Sequence, residues 1–187
     1  MPVLPYLDHT PTLAADVRVA ADAVVVGKVT IDGPAVIGAG AVLRGDQSWI
    51  GIDGPFHLGQ GATVHTEVDV PTRIAGGAWV GDRAVVHAST LGENVRVEDG
   101  GLVLSGASVG SGSIVAARSL VPENATFEPN SYISGVPGRR LRDTTPEERG
   151  ETSALLRAAL GGPAAPSAVR PAHPPKGGSA PLDPPKG

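Results

Sequence analysis

Aliphatic side chains return at every sixth position through Val19, Val25, Ile31, Ile37 and Leu43, with a small or aliphatic residue (Ala23, Val29, Ala35, Ala41) four places after most of them. A period of six fits neither a helix, at about 3.6 residues per turn, nor the simple alternation of an isolated strand. The signal returns after a three-residue slip at Ile52, Leu58 and Val64, then at Ile74, Val80 and Val86, then from Leu91 through Val97, Val103, Val109 and Val115 to Val121. A short unit of this kind cannot bury its apolar residue alone, whereas stacked copies can. The repeat therefore predicts an all-β solenoid, a parallel β-helix. Each hexapeptide supplies one short strand and a corner, and three of them close a triangular coil.

The repeat also turns sequence positions into places. With Ile52, Leu58 and Val64 opening walls one, two and three of a coil, Ile74, Val80 and Val86 repeat the cycle, as do Leu91, Val97 and Val103. His65 follows inward Val64 and His87 follows inward Val86, so both fall on wall three, one coil apart; Arg44, after Leu43, extends that ladder. Adjacent strands lie about 4.8 Å apart, which lets two stacked imidazoles share one metal ion. Gln60, Asp82 and Asp99, each second after an inward residue of wall two, form another polar ladder. The two ladders can meet only around an edge or across a subunit boundary. A residue beside an inward one points outward, so solvated surface is the plainer reading of all these groups. It is the reading kept for His9, His57 and His173.

Composition narrows the chemistry. The 26 glycines and 18 prolines suit a chain that turns a corner every few residues. Cysteine is absent, which leaves histidine, carboxylate and water to hold a metal. A net charge of −4 with scattered basic residues offers no footprint for nucleic acid. No apolar run approaches a membrane span and no tripartite leader opens the chain, so a cytoplasmic protein without a membrane partner is expected.

Residues 1–16 read as an entry strand or cap, 17–143 as the β-helix, 144–161 as a C-terminal helix and 162–187 as a disordered tail rich in proline, glycine and alanine. Within the β-helix the clear repeat ends at Val121, and the chain leaves it through 122–137. An exposed loop is expected at Thr66–Arg73, where Ile74 arrives four residues late. Thr145, Pro146, Glu147 and Glu148 form a helix start, with a capping oxygen, proline at the first position and acids in the first turn. The spacing of Leu155, Leu156 and Leu160 predicts that all three pack on a solenoid wall.

The run from Leu43 to His65, opening Leu-Arg-Gly-Asp and closing Ala-Thr-Val-His, resembles the gamma-class carbonic anhydrase family of left-handed β-helices. So do VGDRAVVHASTLG at 80–92 and SYISGVPGRRLR at 131–142, and the likeness covers about residues 12–150. The resemblance implies a homotrimer with a catalytic zinc between subunits, held by two histidines of one chain and one of its neighbour. The same-chain ligands fall on His65 and His87, and the third falls on Asp82, where the family has histidine. Arg44 and Asp46 match an arginine and an aspartate near the subunit contact, and Tyr132 matches a tyrosine near the site. Gly59, beside Gln60, stands where the family has an assisting glutamine, and His87-Ala88-Ser89 replaces the usual His-Gly-Cys. Glu98 and Asp99 bring two acids to an apolar wall of the pocket.

The expected metal set is therefore His65, His87 and Asp82, with zinc ahead of iron, or no metal at all. Catalytic candidates are Asp82, Glu98, Asp99, Gln60 and Tyr132. A carboxylate in the third position adds negative charge, and the assisting glutamine is gone, so efficient hydration of carbon dioxide is not expected. The reading is a divergent, metal-dependent lyase or hydrolase that hydrates, dehydrates or hydrolyses another small molecule. Two alternatives stay open: a coenzyme A-dependent hexapeptide acyltransferase with His87 as base, and a non-catalytic trimeric scaffold.

Overall fold

The computed structural model describes residues 3–161, and the tail expected at 162–187 lies outside them. The inward aliphatic rows decide the architecture. Parallel strands stack so that Ile31, Ile52, Ile74, Leu91 and Val109 form one row. Ile37, Leu58, Val80, Val97 and Val115 form a second, and Val25, Leu43, Val64, Val86, Val103 and Val121 a third. None of these side chains is more than 1% exposed. The rows line the three walls of a left-handed parallel β-helix of about seven turns. Walls one and three join into one sheet through the long strand Val42–Asp53. Burying each such side chain contributes about 1.5–3 kcal/mol, and only the stack makes that burial available.

Residues four places after the inward ones sit where two walls converge. Ala23, Ala41, Ala62, Ala84 and Ala107 are buried there, and Val29 and Val95 fill the same kind of place. In the later coils Ser113, Ser119 and Ser131 take the place of alanine, and each hydroxyl is bonded. Ser131 N–H donates to Ser113 Oγ at 2.9 Å and Gly135 N–H to Ser119 Oγ at 3.1 Å, while Ser131 Oγ donates to the Glu128 carbonyl at 2.6 Å. Satisfied hydroxyls can be buried without a large penalty.

The structure differs from the sequence expectations at three places. The repeat does not stop at Val121: Phe127 stacks on Val109 and Ile133 on Val115, which extends walls one and two by a further strand each. Both lie on the six-residue spacing, and proline-rich flanks concealed it. The loop after His65 is exposed at Glu67, Val68, Asp69 and Arg73, while Thr66 and Thr72 are buried. It closes as a tight turn in which Glu67 and Val70 exchange backbone hydrogen bonds of 3.2 and 3.0 Å.

The third difference concerns the C-terminal helix α1 (Pro146–Gly161). It opens with a capping box in which Glu148 N–H donates to Thr145 Oγ1 and Thr145 N–H to the Glu148 carboxylate. It lies across wall two over the strands at 35–37, 56–58 and 78–80. The buried side chains are Thr152 and Leu156, one turn apart. Leu155 is 42% exposed, so the expectation that it packs on the wall fails; about 100° around the helix from Leu156, it falls at the edge of the face that Thr152 and Leu156 turn to the wall. Arginines hold both ends. Arg142 makes a two-pronged pair with Glu148 at 2.8 and 2.7 Å, and Arg18 Nη2 donates to the carbonyls of Ala159 and Leu160.

Residues before Val17 contribute strands of the solenoid itself, since Val3–Leu4 pairs with Val25–Val26 and Thr12–Leu13 with Thr30–Ile31.

Candidate metal centre

The six-residue period is broken at one corner in three successive coils, between walls three and one. Leu43 to Ile52 is nine residues, Val64 to Ile74 is ten, and Val86 to Leu91 is five. In the first of these, the ladder pairs Gly27 with Gly45 and then Val29 with Ile50, so that Lys28 faces the whole segment Asp46–Trp49. That bulge carries Asp46 off the regular path and over the next coil. In the third, the corner is so tight that Ala88 takes a left-handed backbone with φ of 44°.

Arg44, His65 and His87 occupy matching positions on three adjacent strands. The two imidazoles lie with centroids 5.1 Å apart and planes tilted by 37°. Asp46 Oδ1 lies 2.9 Å from His65 Nε2, Asp46 Oδ2 lies 3.1 Å from Arg44 Nη1, and Arg44 Nη2 lies 3.4 Å from His65 Nδ1. Burial would raise the Asp46 carboxyl, but the His65 hydrogen bond, the Arg44 charge and its own backbone N–H together hold it below its ordinary value. An ionised carboxylate only accepts, so His65 Nε2 carries the proton and Nδ1 the lone pair. Burial also lowers the His65 pKa; the Asp46 contact opposes this, and Arg44 and His87 add to it, leaving the ring below its ordinary value. His87 is anchored differently, with Nδ1 2.9 Å from Ser105 Oγ. Its Nε2 has no hydrogen-bond partner among the described residues.

The second ladder is placed by glycine. Gln60 N–H donates to Asp82 Oδ1 at 2.9 Å, and Asp82 N–H to Asp99 Oδ1 at 3.0 Å. Each carboxylate folds over the coil before it, in space left open by Gly59 and Gly81. A β-carbon on Gly59 would stand 2.5 Å from the Gly81 carbonyl carbon and 2.6 Å from Asp82 N. The glutamine that the family resemblance places at 59 therefore has no room on this backbone. Glu98 is engaged at both oxygens, with Ala117 N–H at 3.1 Å and Arg96 Nη2 at 3.4 Å. Glu98 and Asp99 line an open cleft of about 330 Å³ with Trp79, Arg96 and Leu155. Tyr132 lies on wall two under the Arg142 guanidinium, 4.1 Å from its ring centroid.

Within one chain the candidates form separate groups. Arg44, Asp46, His65 and His87 come together, as do Gln60, Asp82 and Asp99, while Tyr132 stands apart. Among the described residues no three histidine or acidic side chains converge as a metal cage. Two imidazoles on adjacent strands nonetheless suit a borderline divalent ion such as zinc, once Arg44 leaves His65 Nδ1 and a further ligand comes from outside the chain. Sequence reasoning missed Ser105, which carries no signal of its own; only its stacking one coil beyond His87 marks it. Trp79, on wall two, is stacked on His57 beneath α1.

Stacked hexapeptide coils, a C-terminal helix along one wall and an outward histidine pair on another define a hexapeptide-repeat β-helix protein with a candidate metal ladder. No protein-family model matches the chain. The carnitine operon protein CaiE of Salmonella agona is 30% identical over 138 residues, which cover 74% of this chain and 70% of that protein. Gamma carbonic anhydrase 2, mitochondrial, of Arabidopsis thaliana is 33% identical over 147 residues, or 75% of this chain. The match spans about half, 53%, of the plant protein. Among solved structures, a hexapeptide transferase family protein from Anaplasma phagocytophilum superposes with a TM-score of 0.82 at 29% identity, covering 86% of this chain and 95% of that one. A putative acetyltransferase from Bacillus cereus superposes equally well, at 0.82, with 24% identity, 84% of this chain and 92% of that one, and speaks for the fold alone. The chain belongs to the gamma carbonic anhydrase-like family of hexapeptide-repeat proteins. No helix among the described residues is long and apolar enough to cross a membrane.

Proposed function

We propose that this protein is a homotrimeric, divergent gamma carbonic anhydrase-like enzyme. In this reading His65 and His87 hold a divalent metal, zinc before iron, at a subunit boundary, and Asp82 of the partner subunit completes the set. The observation that carries the reading is the in-register pair itself, two imidazoles 5.1 Å apart on neighbouring strands of one wall. A bound divalent ion supplies Lewis acidity, polarising a carbonyl and acidifying water. Asp46 keeps the His65 proton on Nε2, so the lone pair that His65 offers a metal is that of Nδ1, and binding requires the Arg44 guanidinium, 3.4 Å away, to swing aside. Among the described residues Asp99 and Asp82 each keep one carboxylate oxygen without a partner, which suits them to move a proton, whereas both oxygens of Glu98 are engaged. The negative charge of Asp82 and the closed space at Gly59 argue for hydration, dehydration or hydrolysis of a small molecule other than carbon dioxide.

Metal analysis of protein purified without chelator tests this. The expected result is close to one divalent ion per chain, lost in His87→Ala, because one histidine and a carboxylate make a poor zinc site. Full occupancy in His87→Ala would overturn the ligand assignment.

A second reading, coenzyme A-dependent acyl transfer, is favoured by the unpartnered Nε2 of His87, which could take a proton from an acceptor. Saturable binding of coenzyme A to metal-free protein would support it. Binding of neither metal nor coenzyme A would leave a trimeric scaffold.

A further inference from the structure

We infer that Ser105 is a positioning residue for His87, setting the ring plane that lets Nε2 act as a ligand; the inference rests on the metal reading above. Ser105 belongs to the coil after His87, and its Oγ lies 2.9 Å from His87 Nδ1. This is the single side-chain hydrogen bond of the His87 ring among the described residues. The two histidines of the ladder are thus held by different means. His65 is gripped at Nε2 by a carboxylate and faced at Nδ1 by a guanidinium, while His87 is gripped at Nδ1 alone.

The chemistry of the hydroxyl makes the assignment specific. Serine Oγ both donates and accepts, so the contact survives in either neutral tautomer of His87. A ligand at Nε2 requires the lone pair there and hence a proton on Nδ1, which Oγ is placed to accept. A histidine ligand whose second nitrogen is held in this way loses one ring rotation before the metal arrives, which is why such partners affect affinity. An anionic partner would do this more strongly but would add charge to a ladder that already contains Asp46. A serine orients the ring without changing the net charge. Corner geometry limits the alternatives, since Gly106, directly after Ser105, has φ of 71° and packs against Asn124, which holds position 105 in place.

The test uses full-length protein and three variants: Ser105→Ala, Ser105→Thr and His87→Ala. In zinc-free protein, ring-nitrogen NMR of His87 should show one ordered hydrogen-bonded ring in the parent and in Ser105→Thr, and averaged nitrogen shifts in Ser105→Ala. Zinc affinity, read by competition with a fluorescent chelator, should fall by about 10- to 100-fold in Ser105→Ala and recover most of that loss in Ser105→Thr. A Ser105→Ala variant with unchanged His87 nitrogen shifts, or with zinc affinity equal to the parent, overturns the inference. If the parent itself binds no zinc, the metal reading fails while the NMR comparison still decides whether Ser105 orders the ring. Thermal unfolding of each variant separates a folding defect from a local one.

Discussion

The His57 imidazole lies flat on the Trp79 indole, with ring centroids 3.8 Å apart and planes 15° from parallel. Its Nδ1 is buried without a hydrogen-bond partner among the described residues. Burial pushes its pKa down to about 4, against the raising effect of Asp82. The folded protein thus holds this ring neutral over a range in which the unfolded chain would protonate it.

The sign follows from proton linkage. Between an unfolded pKa of 6.5 and a folded value of about 4, the unfolded state binds more proton, so stability is full above that window and falls as pH drops through it. The fall amounts to roughly 3 kcal/mol across the whole window, of which about 2 kcal/mol is reached by pH 4.5. Urea unfolding at pH 7 and pH 4.5 should show this loss in the parent and a smaller one in His57→Phe, which retains the stack without the titration. Equal pH dependence in both would contradict it.

Corner packing supplies a second test. Gly77 has φ of 86°, and the Asn94 side-chain oxygen of the next coil occupies the place where its β-carbon would stand. Gly77→Ala should destabilise by about 2–3 kcal/mol, combining left-handed strain with that overlap. Adding Asn94→Gly should recover part of the loss by removing the overlap but not the strain, and a double-mutant cycle with no coupling would refute the packing argument.

Asp82→His should bind zinc more tightly than the parent, because it restores a three-histidine set. It should also lose about 1 kcal/mol of stability, since the hydrogen bond from Gln60 N–H is removed. Adding Gly59→Gln should not create hydratase activity but lower the unfolding temperature further, as the backbone at 81–82 leaves no space for a β-carbon. Stopped-flow hydration assays and calorimetry report the two effects separately, and vigorous hydration by the unmodified protein would count against the whole reading.

Arg18 links the first full coil to the end of α1 through the carbonyls of Ala159 and Leu160. Arg18→Ala should raise amide exchange in the last turn of α1 with a global loss of only about 1 kcal/mol. Unchanged exchange across 155–161 would show that the helix end is held by other contacts.

Much of this molecule was legible because a repeat of six makes burial a counting exercise. The inward rows, the alignment of His65 with His87 and of Asp82 with Asp99, and the capped start of α1 all followed from spacing. The strands at Phe127 and Ile133 obey the same count and were obscured only by neighbouring prolines. Leu155 was misjudged because three leucines at helical spacing suggest a stripe without saying which edge of it meets the wall.

What the sequence determined by itself is the interior, since six-residue periodicity selects stacked coils and every inward position with them. Outward positions have no such rule, because a side chain on an outer wall is solvated, covered or bonded according to what the corner beside it does. Only the tertiary structure decided that a bulge carries Asp46 onto His65, that Ser105 reaches back to His87, that Gly59 and Gly81 make space for the carboxylates of Asp82 and Asp99, and that α1 covers His57 and Trp79. These are contacts between coils made at places where the period breaks or a helix lands, and a local spacing cannot encode them.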